Sequence, residues 1–123
     1  MPRRKVIIVD DDLNYREGLR GFLSREADVV AYASPDEFAQ NMKNPPDLQG
    51  VSLIVLDYAF DTFNARDKDL IGLIRDDLAY RGNMVLWSLE DNIPKEYKQH
   101  FNAVLPKRIF SLAEIDQCLN TSS

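Results

Sequence analysis

The chain carries a single cysteine, Cys118, among 123 residues, so no internal disulfide can form and stability must come from packing. Cys118 lies among Ile115, Leu119 and polar neighbours, the setting of a half-buried helix position rather than of a reactive thiol. There is one histidine, His100, and nothing of metal-ligand spacing accompanies it. No apolar run approaches membrane-spanning length, and the N-terminus lacks the apolar segment of a signal peptide. With the cysteine usage, these absences predict a cytoplasmic protein without a membrane partner. Basic residues are few, 15 against 20 acidic, for a net charge of −5. The only basic run, Arg3, Arg4 and Lys5, is short and reads as a solvated lead-in, so a nucleic-acid surface is not expected. No internal repeat occurs.

What remains is a pattern of short apolar runs, in a length that suits one domain spanning 1–123. Residues 5–9 and 51–56 are β-rich and show little polar alternation, as in strands covered on both faces inside a parallel sheet. Further strands are predicted at 28–33, 84–88 and 103–105. Between them the spacing predicts a helix over 13–26, built on Leu19, Phe22 and Leu23 around Tyr15. A second helix starts at Ser34, with Pro35 in its first turn, and fades near Lys43 before Pro45 and Pro46. A third runs through Leu70, Ile71, Leu73, Ile74 and Leu78, with its stop signal at Arg81, Gly82 and Asn83. Shorter helices are expected over 94–100 and 111–119. Five alternations of strand and helix imply an α/β fold with a five-stranded parallel sheet and helices on both faces.

The strand ends carry the chemistry. The first strand runs into Asp10, Asp11 and Asp12, the third into Asp57, the fourth into Ser88 and the fifth toward Lys107. In the flavodoxin-like order 2-1-3-4-5, strands one and three are neighbours at the switch point, where ligands collect. Asp10, Asp11 and Asp57 would then crowd one pocket, and three close carboxylates are costly to ionise without a cation. Oxygen-only ligation favours Mg²⁺ over zinc. Lys107 adds a positive charge and Ser88 a hydroxyl, the groups a transferred phosphoryl needs, with Asp57 as nucleophile. Taken singly, each has a plainer reading: Asp11 or Asp12 as a helix cap, Asp57 as a loop residue, Ser88 as a cap, Lys107 as a solvated cation.

The residues at 6–12 (Val-Ile-Ile-Val-Asp-Asp-Asp) with Arg16 and Leu19, those at 53–57 (Leu-Ile-Val-Leu-Asp), 86–88 (Leu-Trp-Ser) and 104–107 (Val-Leu-Pro-Lys) together resemble the receiver domain of two-component response regulators. The resemblance runs over essentially the whole chain. It implies that Asp57 is the phosphoacceptor, Asp11 the direct metal ligand and Asp10 a ligand through water. It assigns the switch hydroxyl to Ser88, the phosphoryl-contacting cation to Lys107 and a further metal ligand to the Ala59 backbone carbonyl. Mg²⁺ is the implied cofactor. A histidine kinase or phosphotransfer protein is the implied donor, and a downstream protein the implied target. A receiver of this kind is not itself an enzyme.

Several residues depart from that family's pattern. Arg108 follows Lys107 where proline is usual, so a trans bond is expected there. Val104 replaces an aromatic switch residue. Leu89 is bulky beside the switch hydroxyl and predicts a screened acyl phosphate. The loop after Asp57 is longer by about five residues, and its Tyr58, Phe60 and Phe63 could serve as a recognition patch or fold back onto the domain. These features leave open a phosphorylation-independent pseudo-receiver acting as a binding module. A third reading rests on a likeness of residues 10–12 to haloacid-dehalogenase-like phosphatases, with Asp10 as nucleophile and Asp12 as acid/base. If the chain is whole, output must pass by protein contact.

Overall fold

Apolar side chains on both faces of a strand can be buried only inside a sheet with a layer on each side, and that is where residues 6–9 and 53–57 lie. In a computed structural model, residues 4–42, 48–57, 70–89 and 93–121 are described, and all statements below concern these. Strands β1 (Arg4–Val9), β2 (Ala27–Tyr32), β3 (Val51–Asp57), β4 (Asn83–Ser88) and β5 (Ala103–Pro106) form one parallel sheet in the order β2-β1-β3-β4-β5. This is the order expected from the sequence. The expected loop patch Tyr58, Phe60 and Phe63, and Ala59, lie outside the described residues.

Successive strand residues face opposite ways, and this splits the core into two layers. Ile7, Val9, Ile54, Leu56, Met84 and Leu86 pack with Phe38, Leu70, Ile74 and Leu78 on one face. Val6, Ile8, Leu53, Val55, Val85 and Trp87 pack with Leu19, Leu23, Leu112 and Ile115 on the other. At the sheet edge, β2 alternates between buried and exposed positions, and Val30 is half exposed.

The helices are α1 (Leu13–Leu23), α2 (Pro35–Asn41), α3 (Leu73–Asp77), α4 (Lys95–Lys98) and α5 (Leu112–Thr121). Helix α1 stops three residues before the expected Glu26. The amides of Arg25 and Glu26 bond only three residues back, to Phe22 and Leu23, and this tight turn delivers Ala27 to its pairing with Arg4. Helix α2 starts as expected: Ser34 Oγ accepts from the Glu37 amide at 3.1 Å, and Glu37 Oε2 accepts from the Ala33 amide at 3.1 Å. Arg4 is no loose lead-in. It opens β1 and its guanidinium grips Asp116 of α5 at 2.8 Å.

The third helix is the main departure. Three helical residues, Leu70 to Gly72, lead into the π-wound α3, where the Leu78 amide donates five residues back to Leu73 at 2.8 Å. Ala79 then takes a left-handed conformation (φ 53°), so the stop falls ahead of Arg81 and Gly82. Those residues instead lead into β4. Arg75 ties the turn by donating to the Tyr80 and Gly82 carbonyls, both at 3.0 Å. The buried Tyr80 hydroxyl donates to the Asn83 carbonyl at 2.9 Å. A Cβ at Gly82 would collide with the Tyr80 ring, which its hydrogen bond and burial hold in place. Gly82→Ala should therefore cost about 1–3 kcal/mol, the usual range for overpacking, measured by denaturant unfolding.

Candidate functional site

Parallel register brings the strand carboxyl ends to one edge. Val9 pairs with Leu56, Asp57 with Trp87 and Ser88 with Pro106. The residues that end or follow these strands, Asp10, Asp57, Ser88 and Lys107, are the buried polar and charged residues among those described, all at most 5% exposed. The site expected from the sequence is thus brought together from four strand ends.

Lys107 is its centre. The Nζ ammonium lies 2.9 Å from Asp10 Oδ2 and 2.8 Å from Asp57 Oδ1. Its amide donates to the Ser88 carbonyl at 3.0 Å, which fixes the base of the side chain and ties Ser88 to the same corner. Burial pushes the Lys107 ammonium toward its neutral form, but hydrogen bonds and charge attraction from Asp57 and Asp10 prevail, and its pKa is raised. The Lys107–Arg108 bond is trans, as expected, since no cis peptide occurs among the described residues.

The three leading carboxylates separate by role. Asp10 is fully buried, with Oδ1 accepting from the Asp12 amide at 2.8 Å and Oδ2 facing Lys107. Arg16 donates to the Asp10 carbonyl at 2.9 Å, which steadies the turn. Asp12 is the cap of α1: its Oδ1 accepts from the Asn14 and Tyr15 amides at 2.9 and 3.2 Å. The capping duty therefore falls to Asp12 and leaves Asp11 exposed at the rim. The pKa of Asp11 is raised, first by burial and then by a side-chain hydrogen bond to Asp57 and repulsion from it.

One oxygen from each of Asp10, Asp11 and Asp57 lies within 4.8 Å of the others. Three carboxylates against one ammonium leave a negative excess, all the donors are oxygen, and one donor faces solvent. The set fits a hard divalent cation such as Mg²⁺. The described residues hold no other such acidic cluster. The Ala59 carbonyl lies outside them.

Other residues fall as follows. Val104 is half-buried against the first core face. Leu89 is 64% exposed, so its bulk stands in solvent at the rim and the expected screening is not built into this conformation. His100 is exposed, and Cys118 is half-buried against the second core face. Sequence reasoning missed the aromatic surroundings of Lys107. The Tyr15 and Trp87 ring centroids lie 4.7 and 5.2 Å from Nζ. The only available hint was a lone tryptophan next to Ser88, which a strand pattern reads simply as core.

No protein-family model matches the sequence, and no curated protein sequence matches it. Solved structures do. A CheY-like response regulator receiver domain from Methylobacillus flagellatus superposes with a TM-score of 0.74 at 18% identity, covering 98% of this chain and 99% of that one. The structure described as FixJ-N gives 0.73 at 18% identity over 99% and 94%. The response regulator TrrA from Thermotoga maritima, solved in complex with Mg²⁺–BeF, gives 0.67 at 16% identity over 98% and 99%. The chain has the receiver fold, with a doubly wound five-stranded parallel sheet, and at these identities the likeness establishes the fold.

Removing the charge of Lys107 would leave Asp10 and Asp57 facing each other in a buried corner. Lys107→Met should cost about 3–5 kcal/mol, the range for breaking a buried pair on one side, measured by urea unfolding. Because the Lys107 pKa is raised, the stabilisation holds through neutral pH and is lost only as pH climbs through the raised value. Asp11 has the opposite sign. Its raised pKa penalises the folded state at neutral pH, and the penalty is relieved as pH falls through that value. Asp11→Asn should raise the melting temperature of the metal-free chain by roughly 2–4 °C, a figure discounted for solvent screening, and abolish any rise on adding Mg²⁺.

Proposed function

We propose that this protein is a phosphoacceptor receiver of a two-component phosphorelay, taking a phosphoryl group on Asp57 and signalling by protein contact. The observation that carries this reading is the buried ammonium of Lys107 bridging Asp10 and Asp57 beside the rim carboxylate Asp11. Charge neutralisation and in-line placement are most of what phosphoryl transfer asks of a protein.

In this reading an Asp57 oxygen attacks the phosphorus of a phosphohistidine, the bond from phosphorus to the imidazole nitrogen breaks, and an acyl phosphate forms on Asp57. Lys107 exchanges its Asp57 contact for a phosphoryl oxygen while keeping Asp10, and the Ser88 hydroxyl donates to another. Asp11 and Asp57, with Asp10 acting through water, would hold Mg²⁺, whose charge would offset the negative excess there; the resemblance also implies the Ala59 carbonyl, which lies outside the described residues. That both Asp10 oxygens already have protein partners supports a water-mediated role for it. The donor is a histidine kinase or phosphotransfer protein and the target a downstream protein. The chain catalyses no turnover of its own. No described helix is long and apolar enough to cross a membrane.

A second reading, the phosphorylation-independent binding module, is favoured by Val104 in the place of a mobile aromatic. The phosphatase-like reading is disfavoured, because Asp12 is engaged in capping α1. Incubation with Mg²⁺ and acetyl phosphate should add the mass of one phosphoryl group, and Asp57→Asn should abolish the addition. No mass increase at high donor concentration would overturn the phosphoacceptor reading and leave the binding module. Partner affinity indifferent to Mg²⁺ and to beryllofluoride would point the same way.

A further inference from the structure

A lysine ammonium is compact, strongly hydrated and carried on a flexible four-carbon stem. Holding one in a buried corner takes more than carboxylates, because each N–H and each face of the charge must meet something. The Lys107 side chain is 2% exposed. Asp10 and Asp57 take the Nζ contacts at 2.9 and 2.8 Å. The rings of Tyr15 and Trp87 flank the same nitrogen, with centroids at 4.7 and 5.2 Å, within cation–π range.

The two rings are themselves fixed. They meet edge to face, 5.7 Å apart at 88°. Trp87 Nε1–H donates to the Ile109 carbonyl at 3.1 Å. Phe110 stands edge-on to Trp87 at 5.3 Å and stacks on Tyr15 at 6.5 Å. Gly18 leaves room for this, since a Cβ there would lie 3.3 Å from the Phe110 ring. Tyr15 comes from α1 and Trp87 from β4, and Phe110, from the segment after β5, packs against both rings behind the ammonium.

We propose that Tyr15 and Trp87 are positioning residues for phosphoryl transfer, their ring faces holding the Lys107 ammonium at the strand ends and aimed at Asp57. A transferred phosphoryl competes for the ammonium's contact with Asp57. The ring contacts do not change in that exchange, and they keep the cation in the corner while its partner is replaced. Arg108 follows Lys107, so no proline stiffens the turn on that side, and the rings supply the constraint at the side-chain tip. The role in transfer rests on the reading of Asp57 as phosphoacceptor, whereas the clamp itself does not.

Two measurements on the full chain test it separately. The first is a double-mutant cycle between Lys107→Met and Tyr15→Leu by denaturant unfolding. The clamp predicts a coupling of about 5–10-fold in the unfolding equilibrium constant, retained when Tyr15→Phe replaces wild type as the ring-bearing form. The lone tryptophan gives a parallel signal: Trp87 emission should shift on Lys107→Met. Additive unfolding costs together with unchanged emission would overturn the clamp. The second is the rate of phosphorylation by acetyl phosphate with Mg²⁺, on variants shown to be folded. Tyr15→Phe should stay within about twofold of wild type and Tyr15→Leu should fall about tenfold. Equal rates for the two would overturn the positioning role. If wild type takes no phosphate, the phosphoacceptor reading fails, and the cycle and emission alone judge the clamp. If Lys107→Met does not fold, the comparison of Tyr15→Phe with Tyr15→Leu decides.

Discussion

One buried ammonium organises the charged end of this molecule. Lys107 lies between Asp10 and Asp57 with almost no exposure, in a corner where an unpaired charge would be strongly destabilising. Three carboxylates meet there against one cation, and the excess negative charge makes the corner receptive to a further cation. The arrangement contributes little stability that well-packed apolar groups could not match. Its presence in an otherwise apolar core marks the corner as a candidate site.

The sheet makes that corner possible. Parallel strands with helices on both faces bury the inner strands β1, β3 and β4 along most of their length and leave their ends available for polar groups. β1 and β3 are adjacent at the switch point, so Asp10 and Asp57 end side by side, while β4 and β5 bring Ser88 and Lys107 in from the other side. The two core layers share no side chains, and the site sits at the seam where both end. Tyr15, Trp87 and Phe110 belong to the second layer or pack against it, which links the Lys107 ammonium to α1 and to the start of α5.

The departures from the receiver pattern acquire definite places. Val104 is half-buried against the first core layer, and Leu89 is largely in solvent, so the bulk of Leu89 does not cover the carboxylates. Among the described residues, the aromatic mass near the site comes from Tyr15 and Trp87, with Phe110 packed against them. The short π-wound α3 and the left-handed Ala79 reshape the far end of the sheet, away from Asp57, where Tyr80 and Arg75 close the turn into β4.

Local chemistry determined much of this protein. The β-branched run at 6–9 and the Leu-Ile-Val run at 53–55 specify buried strands, Ser34 and Pro35 specify a helix start, and the carboxylates, hydroxyl and lysine at the strand ends specify which groups could meet. All of these depend on neighbours in sequence, and they were legible there. Tertiary structure alone decided which of the three leading aspartates is buried, which caps and which faces solvent, because that turns on where α1 leaves β1. It also decided that α1 ends early, ahead of the pairing of Ala27 with Arg4, and that α3 winds as a π-helix. The ring faces around Lys107 come from positions 15, 87 and 107, and contacts across such separations are fixed by strand order and register, which no local pattern encodes.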